Sequence, residues 1–291
     1  MQQASPDRPA APDDPSGLAP VSAVPVAYGA YVFDLDGTLY LGDELLPGVE
    51  ALMAALAAAG RRRVFVTNNP TRSREHYAQK LQALGVRAAP EEIVTSATLT
   101  AAWLREHQAD AVCLVLGEPP LVEALTAAGL RVSEDPAEVT LVVTSFDRTF
   151  DYARLRAAFD ALWRRPQTRF VATHPDAYCP LPGGRGEPDA AAVTAAVEAC
   201  TGRRVEHVVG KPEPTALRTA LSLVGVDVTD AIMVGDRLGT DIAMGVAAGT
   251  ATALVLTGDS TLADVQAAPP SSRPTYLLDR IDALAAALET T

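Results

Sequence analysis

Tyr31-Val32-Phe33-Asp34-Leu35-Asp36-Gly37-Thr38 is a short apolar run that ends in two carboxylates one residue apart. Three consecutive apolar residues before a polar turn read as a buried strand, not as a half-exposed one. Asp34 and Asp36 then sit just past its carboxyl end. Two carboxylates this close do not both stay ionised without a cation or a proton between them. Magnesium is the natural partner, because it takes a few hard carboxylate oxygens and completes its shell with substrate phosphate. Gly37 and Thr38 would turn the chain and aim backbone N–H groups at an anion.

Working outward, three more polar clusters follow short apolar runs. Thr67-Asn68-Asn69 follows Val64-Phe65-Val66, Gly210-Lys211-Pro212 follows His207-Val208-Val209, and Gly235-Asp236-Arg237 follows Ala231-Ile232-Met233-Val234. Helical patterns separate them, over 49–59, 75–84, 98–107, 121–128, 152–163, 190–200, 215–224, 241–248 and 281–288. Further strands are expected over 112–116, 141–144, 169–172 and 252–256. Such alternation predicts an α/β fold, a Rossmann-like doubly wound parallel sheet with helices on both faces. Sheets of this kind bind ligands at the carboxyl ends of their strands, where all four clusters lie.

The residue types suit phosphoryl chemistry. Asp236 adds a carboxylate for a metal, and Asp241 can orient it from behind. Lys211 is a point charge fit for a phosphate and an aspartate together. Thr67 and Asn68 offer donors to phosphate oxygens. A carboxylate can attack phosphorus to form an aspartyl-phosphate, while a second carboxylic acid protonates the leaving alcohol and later activates water.

In this order the four clusters resemble the motifs of the haloacid dehalogenase (HAD) superfamily. The Thr67-Asn68-Asn69 form and the run Gly235-Asp236-Arg237-Leu238-Gly239-Thr240-Asp241 are similar to its type IIA branch, the nitrophenylphosphatase-like and NagD-like sugar-phosphate phosphatases. The resemblance covers residues 31 to about 256. It implies Asp34 as nucleophile and metal ligand, and Asp36 as general acid/base with its backbone carbonyl on magnesium. It implies that Thr67, Asn68 and Gly37 hold phosphate, that Lys211 steadies Asp34 and phosphate, that Asp236 binds magnesium, and that Asp241 supports from behind. It also implies an α/β cap inserted over 97–204, between core segments 27–96 and 205–291, with a loop that selects substrate. That loop is 173–181, with His174, Asp176, Tyr178 and Cys179 facing the substrate. Relatives commonly carry Asn where His174 stands. Arg185, in the run 183–186, is a candidate for a second anionic group on the substrate. Caps of this branch often mediate homodimers, so a homodimer through the cap is expected.

Composition narrows the classes. The chain has 291 residues, 24 basic and 36 acidic, for a formal charge of -12, and no basic cluster. Nucleic acid and anionic membrane surfaces are therefore poor partners. No apolar run of about 18 residues exists, so no spanning helix is predicted. The 3 cysteines, Cys113, Cys179 and Cys200, are widely spaced, which favours a reducing cytoplasm over a disulfide framework. Residues 1–26, rich in Pro and Ala, read as a disordered tail. The expectation is a magnesium-dependent phosphatase of small phosphomonoesters. The alternatives are a phosphotransferase or mutase on the same scaffold, or a non-catalytic phosphometabolite-binding protein.

Overall fold

A computed structural model describes residues 19–163, 165–181 and 185–288. The core opens with β1 (Ala30–Phe33), a flap of β2 (Tyr40–Leu41) and β3 (Glu44–Leu45), α1 (Val49–Ala58), β4 (Arg62–Thr67), α2 (Arg74–Ala83) and β5 (Ile93–Thr95). Helix α3 (Ser96–His107) leads into a second layer made of β6 (Val112–Leu116), α4 (Pro119–Ala127), β7 (Arg131–Val132), β8 (Leu141–Thr144), α5 (Tyr152–Trp163) and β9 (Arg169–Ala172). A hairpin of β10 (Tyr178–Leu181) and β11 (Arg185–Pro188), α6 (Ala190–Thr201) and β12 (His207–Val208) follow. The chain returns through α7 (Pro214–Val224), β13 (Ala231–Gly235), α8 (Ala243–Ala248), β14 (Ala251–Val255), α9 (Leu262–Ala267) and β15 (Tyr276–Leu278).

Two parallel sheets result. The core sheet runs β15-β14-β13-β1-β4-β5 and the cap sheet β12-β9-β8-β6-β7. β1 pairs in parallel with both β4 and β13, so the ends carrying Asp34, Thr67 and Gly235 lie side by side. The period of two along β1 explains its double burial. Tyr31 and Phe33 pack with Phe65, Leu52, Leu56 and Leu81 on the α1 and α2 side. Val32 packs with Val64, Met233, Leu217 and Leu221 on the α7 side. Both faces are dry, which is why the strand is a continuous apolar run.

The α/β alternation is as the sequence suggests, although the short elements β2, β3, β5, β7, β10, β11, β15 and α9 were not expected, and other features differ in kind. Val21 N–H donates to the Leu277 carbonyl at 2.8 Å, and Val24 N–H to that of Ala283 at 2.9 Å. Val24 is fully buried in the core, so packing starts ahead of the expected boundary at residue 27. The prolines around Val24 masked its use as an apolar plug. Residues 1–18 of the expected tail, and Gly183 and Gly184, lie outside the described residues. His207–Val208 pairs with β9 as the edge of the cap sheet, not with the core. The expected C-terminal helix over 281–288 is instead a short 3-10 turn, Ile281–Ala285. No helix among the described residues is long and apolar enough to cross a membrane.

Candidate active site

Asp34 leaves β1 with its N–H on the Val234 carbonyl at 2.9 Å, which ties the first cluster to the fourth. Its carboxylate accepts from Lys211 Nζ and, at 3.4 Å, from the Thr38 hydroxyl. Lys211 is buried and also donates to Asp241 at 2.7 Å. A single wide π-type turn, Leu238–Ile242, swings Asp241 back under the site. There it also accepts the Arg237 N–H at 3.1 Å. Such turns concentrate at functional sites.

Asp236 completes the cluster. One oxygen of each of Asp34, Asp236 and Asp241 lies within 4.8 Å of the others, and all three residues are buried. Asp236 Oδ2 accepts the Asp259 N–H at 2.8 Å, whereas buried Oδ1 has no hydrogen-bond partner. Two glycines leave it room. A Cβ on Gly37, whose φ is +86°, would come within 2.5 Å of Asp236 Oδ2, and one on Gly258 within 2.0 Å. Three carboxylates thus face one ammonium, with an orphaned oxygen among them. That donor set fits a hard divalent cation.

The electrostatics follow from burial. Burial pushes Asp34 well above the usual carboxylate range, Lys211 opposes this, and Asp241 and Asp236 add to it. Asp236 is pushed up to about 6 by burial and then by Asp241. Lys211 is held above its ordinary value, because Asp241 and Asp34 outweigh the burial that works to lower it. Asp36 is open to solvent at the mouth of the cleft, and its carboxylate accepts from the Tyr40 hydroxyl at 3.2 Å. The protein crowded around it still raises its pKa, against the opposing charge of Lys80.

Several expected roles are redistributed. Gly37 N–H donates to the Tyr40 carbonyl at 2.8 Å, and Thr38 N–H to that of Leu35 at 3.3 Å, so neither aims at an anion. The Asn68 side chain is fully engaged. Its Oδ1 accepts the Lys211 N–H at 2.9 Å, and its Nδ2 donates to the Lys211 carbonyl at 3.1 Å and to Asp176 at 3.2 Å. The Thr67 hydroxyl accepts the Asn69 N–H at 3.1 Å while lining the cleft.

On the cap loop, His174 does not face the substrate space. It is buried, with Nδ1 on the Thr173 hydroxyl at 2.8 Å and Nε2 on Asp189 at 2.9 Å. Asp189 also accepts the Ala190 N–H and so starts α6. Asp176, Tyr178 and Cys179 do line the cleft. The Tyr178 hydroxyl donates to Asp259 at 2.7 Å, and its ring lies under the Arg237 guanidinium at 5.9 Å. Burial pushes the Cys179 thiol up to about 12, so it stays protonated. Arg185 pairs with Leu181 in the hairpin and is exposed.

Sequence reasoning placed Arg237 in the fourth cluster without a role, and missed Asp189 and the loop Thr257-Gly258-Asp259 as parts of the site. Thr257 donates to the Gly37 carbonyl at 2.7 Å and closes the loop onto the turn after Asp34. Its signal was available, since it is a polar, glycine-bearing cluster right after β14. The cleft between these groups is a cavity of about 50 Å³, bounded by Asp34, Asp36, Thr67, Lys211, Arg237 and Cys179. It has room for a few water-sized groups, about what a phosphoryl group fills.

Comparison with known proteins agrees with this geometry. The family described as haloacid dehalogenase-like hydrolase matches residues 31–131, and a HAD-hydrolase-like family matches residues 208–284. An acid sugar phosphatase of Staphylococcus aureus (strain USA300) is 37% identical over 262 residues, 90% of this chain and 98% of the relative. The structure of 4-nitrophenylphosphatase from Thermotoga maritima is similar with a TM-score of 0.84 and 35% identity, covering 90% of this chain and 97% of that one. NagD from E. coli K-12 is similar with a TM-score of 0.79 and 29% identity, over 88% and 98% of the two chains. With three clusters at the ends of neighbouring core strands, the Lys211 cluster brought beside them from the edge of the cap sheet, and the cap above, the chain belongs to the haloacid dehalogenase superfamily, in its type IIA, NagD-like branch.

Proposed function

We propose that the chain is a magnesium-dependent phosphatase of small phosphomonoesters that works through an aspartyl-phosphate on Asp34. The observation that carries this reading is the buried group of Asp34, Asp236 and Asp241 around the single ammonium of Lys211, with Asp36 standing free of it at the mouth. The phosphatase names of relatives that cover nearly the whole chain support it.

The Asp34 oxygen attacks phosphorus as the bond to the leaving oxygen breaks. Asp36 gives its proton to that oxygen, and its raised pKa suits it to hold the proton until then. The Asp36 carboxylate next takes a proton from water as the water attacks phosphorus. The bond to Asp34 breaks, and inorganic phosphate and a free Asp34 carboxylate remain. Lys211 holds Asp34 in place and offsets charge on the phosphoryl oxygens. Asp34 and Asp236 would hold magnesium, with Asp241 orienting them, and the ion would neutralise charge on the transferring group. Cap residues Asp176 and Tyr178 bind core residues Asn68 and Asp259, which ties the cap loop to the core beside the cleft.

The test is phosphate release from nitrophenyl phosphate and sugar phosphates, with magnesium and with chelator, for wild type and Asp34→Asn. Release that needs magnesium and vanishes in Asp34→Asn is expected. Release that persists in Asp34→Asn would refute the assignment. We also propose a homodimer through the cap, supported by the exposed aromatic residues Tyr152 and Trp163 at the two ends of α5. A monomeric mass by light scattering would end that idea.

A further inference from the structure

We propose that the cavity beyond Asp36 binds an anionic group on the leaving side of the substrate through Arg72 and Lys80. The preferred substrates are then phosphomonoesters carrying a second carboxylate or phosphate. This rests on the phosphatase reading above and deepens it.

The argument starts from continuity. A second cavity, of about 540 Å³, adjoins the small one and shares Asp36, Asn69, Cys179 and Pro180 with it. The leaving oxygen takes its proton at Asp36, so whatever that oxygen carries extends into this larger space. The wall formed by α2 and the loop just before it, hereafter the α2 wall, presents Arg72, His76, Tyr77 and Lys80 and no carboxylate. The chain has a formal charge of -12, and Lys80 is one of only two lysines, the other being Lys211.

The cations of that wall are uncommitted. Among the described residues neither Arg72 nor Lys80 forms an ion pair, and the Lys80 ammonium rests over the Tyr40 ring at 3.9 Å. Their closeness registers on His76, whose imidazole is held below the usual histidine range by partial burial and then by Arg72 and Lys80. Lys80 feels Asp36 and Arg72 feels Glu118 only beyond ion-pair distance, so both like charges keep room for direct contact with a ligand anion.

The other charged groups of the cavity are spoken for or lie elsewhere. Arg148 is held by Glu118 through two bonds of 2.7 Å. Asp259 takes the Tyr178 hydroxyl, and Glu187 lies in the field of Arg148. Asp36 and Asp236 belong to the catalytic end. Asp43 faces in from the β2–β3 flap. An anion is therefore welcome on the α2 wall and not at the flap, so position as well as charge selects the substrate.

The experiment compares matched esters with the magnesium-loaded full chain. Phosphogluconate is set against glucose phosphate, both phosphorylated at the terminal hydroxyl, to test a carboxylate. A hexose bisphosphate is set against its monophosphate to test a second phosphate. Wild type should prefer at least one anionic member by about tenfold in kcat/KM, the size of one charge-assisted contact. Arg72→Gln and Lys80→Gln should each remove most of that preference through KM, with a much smaller loss on the neutral ester, and added salt should narrow the gap. Equal kcat/KM within both pairs, or equal losses on charged and neutral esters, would overturn the inference while leaving the phosphatase reading intact. Absence of any release, nitrophenyl phosphate included, would instead strike the parent reading. Calorimetry with Asp34→Asn protein decides the inference without turnover. Phosphogluconate binding about tenfold tighter than glucose phosphate upholds it, and equal binding refutes it.

Discussion

Asn68 of the core donates to Asp176 of the cap loop at 3.2 Å while its amide also clasps both backbone groups of Lys211. Cap position and the placement of Lys211 beside Asp34 are therefore coupled through one side chain. Arg237 adds a longer-range contact, with Nη1 at 3.9 Å from Asp176.

Asp176→Ala should loosen the cap without unfolding the core. We expect a loss of about tenfold in kcat/KM and faster hydrogen exchange in β10 and β11, with thermal stability nearly unchanged. Asp176→Asn should recover part of the activity, because it still offers an acceptor to Asn68. Unchanged exchange in the hairpin would disprove the latch.

Asp36→Asn should sort esters by their leaving group. Sugar phosphates release an alkoxide that needs a proton, so their turnover should fall about a hundredfold or more. Nitrophenyl phosphate releases a stable phenolate, so single-turnover phosphorylation of Asp34 should fall far less. Parallel losses on the two esters, measured by rapid quench, would argue against Asp36 as the acid.

Stability should fall as pH rises in chelator and be held up by magnesium. The folded pKa of Asp236 is raised, from the ordinary 3.8 to about 6. A raised folded pKa gives stability that is full below the unfolded value and is lost as pH rises through the folded one. In chelator, thermal stability should thus decline as pH climbs from about 4 to beyond 6, by on the order of 3 kcal/mol from this group. Asp34 shifts in the same direction and adds to the loss. Magnesium should restore stability above that window and do little below it. A chelated protein whose melting temperature is flat across the window would contradict the cluster's electrostatics.

Val24→Ala should cost about 2 kcal/mol, because a fully buried valine loses two methyl groups from the core. Truncation through residue 26 should lower the melting temperature further, since it also removes the Val21 and Val24 backbone bonds. Stability equal to that of the full chain in calorimetry would show that this plug contributes nothing.

How much of this was legible in the sequence depends on range. Asp34 and Asp236 come immediately after core strands that read as apolar runs, so local pattern alone placed them, whereas the run before Lys211 did not reveal that its strand joins the cap sheet. The strands Ile93–Thr95 and Tyr276–Leu278 have 3 residues each, too few to show a period. Helix α9 announced itself with Thr261 and Asp264 in a capping box, a signal left unread. The fate of His174 and Asn68 could not be read locally. His174 turns to Asp189, 15 residues on, and Asn68 to Lys211, 143 residues on. Both are polar residues with a bland turn-forming look until their partners are known.

The double pairing of β1 has a consequence for how the chain acquires its shape. β1 borders β4, which follows closely, and β13, which begins at Ala231. During synthesis the strand that ends in Asp34 must wait with one edge bare until some 200 further residues, the entire cap among them, have emerged. Lys211 and Asp236 arrive in the same late segment. The carboxylates are thus never gathered in a half-made chain, and the assembled charge cluster first exists only when its cover already does.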